Sequence, residues 1–189
     1  MAIRIYVDQG HNPRDYNTGA EAGGVFEQDI TYNIGTLLND LLSRNSNFIT
    51  KLSRPTEDTM LGTSNSTSLS ARVNEAKAFG ADLFLSLHVN SAESTRASGN
   101  EALVYGSLST VAEGIGTAIL EQLTLTTGLR NRGIVYRPGL YILRETPMPA
   151  VLVEMGFISN PYDRELLTEE PELFALGIYR GLLDYYNLG

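Results

Sequence analysis

A chain of 189 residues with 42% apolar and 19% charged residues is long enough for one buried core and too apolar to remain disordered. A formal net charge of −8 with no cluster of lysine or arginine argues against nucleic acid, which is bound by neutralising phosphates, and against anionic membrane surfaces. Cysteine is absent, which excludes disulfides, thiolate nucleophiles and cysteine-type zinc sites, and no apolar run reaches the roughly 20 residues that span a bilayer.

Met1 leads almost directly into strand-like sequence, so no signal peptide is expected. Residues 3–8 read as a buried strand that ends at Asp8-Gln9-Gly10-His11. A glycine-rich loop follows over 17–24. Ile30, Ile34, Leu37, Leu38, Leu41 and Leu42 recur on one helical face, which predicts a helix from about Glu27 to Arg44. Phe48 to Leu52 predicts a second strand, and residues 55–67, rich in Ser, Thr and Asn, an exposed loop. Ser68 is the expected N-cap of a helix carrying Leu69, Val73, Ala76 and Phe79.

Leu83 to Leu87 is a near-continuous apolar run, as a parallel strand covered on both faces requires. A strand at Ala102 to Tyr105 and a helix over 109–126 follow. Arg130, Arg132 and Arg137 are expected in a solvated loop. Tyr141 to Leu143 and Ala150 to Val153 read as two more strands, Asp163 to Leu167 as a short helix, and Pro171 to Tyr186 as the last helix, with proline tolerated in its first turn. Strands alternating with helices predict an α/β fold. The expectation is one domain over residues 1–189, with a mostly parallel central sheet flanked by helices on both faces.

Four residues stand out against that frame. His11 and His88, the two histidines of the chain, follow the first strand and end the Leu83–Leu87 strand, and Glu154 ends the run from Ala150 to Val153. Ligands of open α/β sheets bind outside the carboxyl ends of the strands, so these three are expected to converge on one edge. Glu27 lies on the apolar face of its helix, three residues before Ile30 and seven before Ile34. A carboxylate there is costly unless it is paired or bound to a metal, although a helix start favours it too. Each residue alone has a plainer reading: a hydrogen-bonded loop histidine, a first-turn cap, or for Glu154 a partner such as Arg144. Together they point to a His/His/Glu metal site with a second carboxylate free, the three-ligand pattern of catalytic zinc, which also suits iron and other divalent ions. Asn90, two residues past His88, is expected either to orient a ligand or substrate or to brace the loop.

Four segments carry a resemblance to a known family: "IYVDQGH" at 5–11, "GAEAGGVFEQDITYNI" at 19–34, "ARVNEAKAFGADLFLSLHVNSA" at 71–92 and "PAVLVEMGFISNPYD" at 149–163. In order and spacing they resemble the zinc-dependent N-acetylmuramoyl-L-alanine amidases of the Amidase_3 family. Where that family usually has Asp-Pro-Gly-His-Gly-Gly, this chain has Asp8-Gln9-Gly10-His11-Asn12-Pro13, keeping the histidine and the glycine before it. The resemblance implies zinc ligands at His11, Glu27 and His88, one Zn2+ per chain, and a catalytic glutamate at Glu154. It implies hydrolysis of the amide between N-acetylmuramic acid and L-alanine of peptidoglycan, at the cell wall, by an exported enzyme or one released on lysis. The expected partner is peptidoglycan, with no nucleic acid or membrane and a monomeric state assumed. The alternatives are a zinc hydrolase of another muropeptide or peptide amide bond, and a wall-binding domain without turnover.

Overall fold

The chain begins with strand β1 (Ile3–Gln9) and a short hairpin, β2 (Glu21–Ala22) and β3 (Val25–Phe26), that leads straight into helix α1 (Glu27–Ser43). Strand β4 (Phe48–Leu52), helix α2 (Asn65–Phe79), strands β5 (Leu83–Asn90) and β6 (Asn100–Val104) and helix α3 (Thr110–Thr127) follow. Strand β7 (Asn131–Tyr136), helix α4 (Tyr141–Glu145), strand β8 (Ala150–Phe157) and helices α5 (Pro161–Glu169) and α6 (Pro171–Tyr186) complete it. This is a computed structural model, and it describes residues 1–106 and 110–188.

Six strands form one sheet in the order β4-β1-β5-β8-β6-β7. The first four are parallel, with Val7 beside Leu85 and Leu85 beside Val151. β6 then runs antiparallel to β8, and β7 runs parallel to β6. Four strands therefore end at one edge of the sheet, β4, β1, β5 and β8, while β6 and β7 begin there.

Side-chain alternation along the strands sorts the core into two layers. Ile5, Val7, Leu83, Leu85, Leu87, Val151 and Val153 face α1, α3 and α6, and pack on Ile34, Leu38, Ile119, Phe174 and Ile178. Tyr6, Phe84, Leu103, Ala150 and Leu152 face α2 and α4, against Val73, Ala76, Ile142 and Leu143. Each large apolar side chain so buried contributes about 1.5–3 kcal/mol. The α/β architecture, the mostly parallel sheet and the helices on both faces are as the pattern of elements predicts.

Local expectations needed correction at four places. The glycine-rich stretch 17–24 holds β2 and the turn of the β2–β3 hairpin, made by Gly23 and Gly24 at φ 60° and 78°, and strands of two residues are too short to show a period. Helix α2 is capped by Ser64, whose side chain accepts from the Thr67 amide, whereas Ser68 lies buried within the helix and takes a hydrogen bond from Asn17. Tyr141 to Leu143 is helical, in a segment bounded by Pro138-Gly139 and Pro147, because an apolar run of three has no period to tell helix from strand. Arg130 to Arg137 is not all loop, since Asn131 to Tyr136 form the edge strand β7, whose polar residues face solvent. Of the helix expected over 109–126, Ser109 lies outside the described residues, and α3 continues to Thr127.

Candidate metal centre

Phe84, Ser86 and His88 alternate onto the α2 side of β5, as Tyr6 and Asp8 do on β1 and Leu152 and Glu154 on β8. That layer is therefore apolar at its base and turns polar toward the sheet edge. His88 and Glu154 lie opposite each other in the β5–β8 register. His11 sits two residues past the end of β1, and Glu27 opens α1. All four residues singled out in the sequence reach the same edge.

His11, Glu27 and His88 each offer an atom within 4.8 Å of the other two. Oε1 of Glu27 is 3.1 Å from Nε2 of His11 and 3.1 Å from Nδ1 of His88. The same oxygen accepts from the Val89 amide at 2.9 Å, and Oε2 accepts from the Ala20 amide at 2.9 Å, so the carboxylate is fixed from both sides. Burial works to raise its pKa, but the two neighbouring imidazoles prevail and hold it well below the usual carboxylate range. Burial pushes the pKa of His88 down, which favours the neutral ring that can act as a ligand.

The tautomer of His11 follows from its other nitrogen. Nδ1 lies 3.2 Å from the backbone carbonyl of Asn17, which can only accept, so Nδ1 carries a proton. A neutral ring then turns the lone pair of Nε2 toward the carboxylate of Glu27. Two acceptors facing each other at 3.1 Å need a positive charge between them, a proton or a metal ion. The group could hold a metal ion: two imidazole nitrogens and one carboxylate, with a carbonyl orienting the first ligand, are a donor set for a divalent cation.

A buried network shapes the loop behind the site. Asp8 and Arg72 pair at 2.5 Å, both almost wholly buried, and Ser86 donates to the second oxygen of Asp8 at 2.7 Å. Burial alone would raise the pKa of Asp8, and the Arg72 guanidinium overrides it, holding the carboxyl low. Arg72 also donates to the carbonyls of Gln9 at 2.7 Å and His11 at 2.6 Å. These bonds hold His11 at φ 71°, a left-handed backbone that costs a residue with a Cβ about 1 kcal/mol. Gly10 before it has no room for a side chain, because a Cβ would meet the His88 ring at 2.6 Å.

Glu154 does not join the His–Glu–His group. Its Oε2 is buried without a hydrogen-bond partner among the described residues. Burial, reinforced by the charges of Glu27 and Glu101, pushes its pKa up to about 8. Arg144 is not its partner and pairs instead with Glu145 at 2.9 Å. Asn90 donates to Glu101 at 2.9 Å and accepts from the Ser91 amide at 2.8 Å, so it braces the rim. Sequence reasoning passed over Arg72, Glu101 and the carbonyl of Asn17; Asp8 and Arg72 stand 64 residues apart, with no local pattern to join them.

Residues 5–184 match the family model described as N-acetylmuramoyl-L-alanine amidase, Amidase_3. The chain is 33% identical to the N-acetylmuramoyl-L-alanine amidase CwlM of Bacillus licheniformis, over 98% of this chain and 70% of that protein. To the amidase LytC of Bacillus subtilis it is 32% identical, over 97% of this chain and 35% of the relative. Among solved structures, the catalytic domain of the amidase CwlV from Bacillus (Paenibacillus) polymyxa var. colistinus superposes with a TM-score of 0.85 at 28% identity, covering 99% of both chains.

Proposed function

The chain belongs to the N-acetylmuramoyl-L-alanine amidase family Amidase_3, hydrolases of peptidoglycan, and from that premise we propose that His11, Glu27 and His88 hold one zinc ion while Glu154 moves the proton in the reaction. The observation that carries this reading is the convergence of three ligand atoms within 4.8 Å on the same sheet edge as a carboxyl group whose Oε2 is buried and unpartnered. Zinc bound there supplies a Lewis acid for the lactyl carbonyl of N-acetylmuramic acid and lowers the pKa of water toward ~7.

The protein's own groups do the rest. Glu154 takes a proton from the attacking water as the oxygen closes on the lactyl carbonyl carbon. It returns that proton to the nitrogen of L-alanine as the C–N bond breaks. A carboxyl group held near pKa 8 by burial suits the second step, and a nearby cation favours the ionised form needed for the first. Asn17 keeps the proton of His11 on Nδ1, and Arg72 keeps the His11 carbonyl in place, so the ligand does not turn away.

In this reading residues 1–189 act as one catalytic domain, a monomer that works on the cell wall as an exported enzyme or one freed by lysis. No helix of the described residues is long and apolar enough to cross a membrane.

A muropeptide digest followed by mass spectrometry tests the proposal, with metal content measured for the parent and for Glu154→Ala. The parent is expected to hold about one zinc and to release stem peptides with a free L-alanine amino terminus and no new reducing sugar ends. Glu154→Ala is expected to keep its zinc and lose about 10³-fold in rate. A full rate after exhaustive metal removal, or a zinc-loaded parent that frees nothing from several peptidoglycan types, overturns it.

A further inference from the structure

Glu101 lies opposite Glu154 in the antiparallel β6–β8 pair, so their backbones are about 5 Å apart. Both of its oxygens are taken: Asn90 donates to Oε1 at 2.9 Å, and Nε of Arg132 donates to Oε2 at 3.0 Å. Glu101 is thus a mount rather than a free acid, and what it mounts is a guanidinium at the same sheet edge as Glu154.

Arg132 is held more firmly than a surface arginine needs to be. Besides Glu101, its Nη1 donates to the Ser98 carbonyl at 3.4 Å, and its guanidinium stacks over the Phe157 ring at 5.0 Å. Its stem lies across the backbone of Gly99, where a Cβ would stand 3.2 Å from Cγ and Cδ. Gly99 and Ser98 are fixed in turn by Asp163, which accepts from the Gly99 amide at 3.1 Å and the Ser98 hydroxyl at 2.6 Å. The side chain nevertheless remains 35% exposed. A guanidinium carries five N–H donors, and among the described residues only two of them are engaged. With Nε and one Nη1 hydrogen engaged, Nη2 and the second Nη1 hydrogen are left to take a carboxylate end-on.

We propose that Arg132, held by Glu101, Ser98 and Phe157, is a specificity residue that binds a stem-peptide carboxylate one residue beyond the amide cleaved beside Glu154. This rests on the amidase reading. In a stem peptide, the residue after L-alanine is an isoglutamate, whose free carboxylate branches off the chain, or isoglutamine, its neutral amide. One extended residue spans ~3.5 Å, and with the branch the carboxylate stands on the order of 6 Å from the scissile nitrogen. Neighbouring strands are about 4.8 Å apart and Arg132 reaches the Glu101 carboxylate at 3.0 Å, so the Arg132 head lies one strand spacing and one hydrogen bond from Glu154, on the order of the reach of that carboxylate.

The experiment compares two synthetic muropeptides that differ only in this group, N-acetylmuramoyl-L-alanyl-D-isoglutamate and its isoglutamine counterpart. Parent, Arg132→Ala and Arg132→Lys are assayed on both, and the ratio of kcat/KM values is taken within each preparation, so that partial misfolding cancels. The parent is expected to prefer the acid by about tenfold, mainly through KM. The ratio falls to near one in Arg132→Ala and to an intermediate value in Arg132→Lys, whose ammonium is a point charge. A parent ratio of one, or a ratio that survives Arg132→Ala, overturns the proposal and leaves Arg132 as a strut between β6 and β7. Calorimetry in a Glu154→Gln background separates this from the amidase reading. If the parent cleaves neither compound yet the background variant binds the acid better through Arg132, the reaction is wrong and the subsite stands; equal binding of both compounds overturns the subsite.

Discussion

On the sheet face covered by α1, α3 and α6, the strands stay apolar almost to their ends, through Val7, Leu87, Val89, Val153 and Met155, and the one polar end, Gln9 of β1, is buried against α1 with its amide donating to the Tyr32 carbonyl. On the face covered by α2 and α4, the same strands begin with Tyr6, Phe84 and Leu152 and finish with Asp8, Ser86, His88 and Glu154. Apolar burial has no direction, so the first face gains stability from every residue and asks only that volumes fit. Hydrogen-bonded charges are directional and costly when unpaired, so the second face gives up burial to fix a few atoms in space. The division of labour between stability and chemistry thus runs through the thickness of one sheet.

Asp8→Asn breaks this division most severely. Removing the charge leaves the Arg72 guanidinium buried without its counterion and is expected to cost about 3–5 kcal/mol in denaturant unfolding. Because Arg72 also holds the carbonyls of Gln9 and His11, zinc affinity measured by chelator competition should fall by about tenfold or more in the protein that still folds. Ile178→Ala probes the other face. Ile178 is fully buried on α6, so the truncation is expected to cost about 3 kcal/mol, yet zinc affinity and rate per folded molecule should match the parent. A shift in zinc affinity with Ile178→Ala as large as with Asp8→Asn would erase the distinction between the faces.

The smallest expected effect is a pH dependence confined to the polar face. The pKa of Glu154 stands at about 8 in the metal-free folded protein against 4.5 for the free group. The folded state therefore binds that proton more tightly than the unfolded state. The contribution is fully present below pH 4.5 and is lost as pH rises through about 8. Glu154→Gln has no such proton to lose. Its stability relative to the parent should rise by at least about 1 kcal/mol between pH 5 and pH 9 in metal-free thermal melts, and a flat difference would show that Glu154 is not buried as described. Asp8 acts with the opposite sign, adding stability at neutral pH that is lost on acidification, because its pKa is lowered.

Much of this was legible in the chain itself, and the parts that were not share a cause. Long periodic segments announced themselves: α1 and α6 follow their apolar stripes, and β5 its apolar run. His11, His88 and Glu154 were legible because each stands just past such a segment, and Glu27 because it occupies a core-facing position of its helix. Residues whose surroundings are set by distant partners were silent. The pairing of Asp8 with Arg72 exists only once α2 lies across β1. β7 was hidden because an edge strand exposes its polar groups, so Arg130, Arg132 and Arg137 read as a solvated loop. α4 was misjudged because Tyr141, Ile142 and Leu143 form too short an apolar run to carry a period.

The reversal of β6 has a consequence for how such an enzyme can change. The two histidines and Glu154 stand past β1 and in the carboxyl halves of β5 and β8, whereas Glu101 and Arg132 stand where β6 and β7 start. The proposed metal site and the proposed carboxylate subsite are thus delivered by different ends of different strands, joined around the rim by the stretch from Ser91 to Gly99. That stretch and the first residues of β7 can be exchanged for those of a relative without replacing His11, Glu27, His88 or Glu154. Chemistry and substrate range are in this sense separate cassettes on one scaffold, and a chimaera is the natural way to move one without the other.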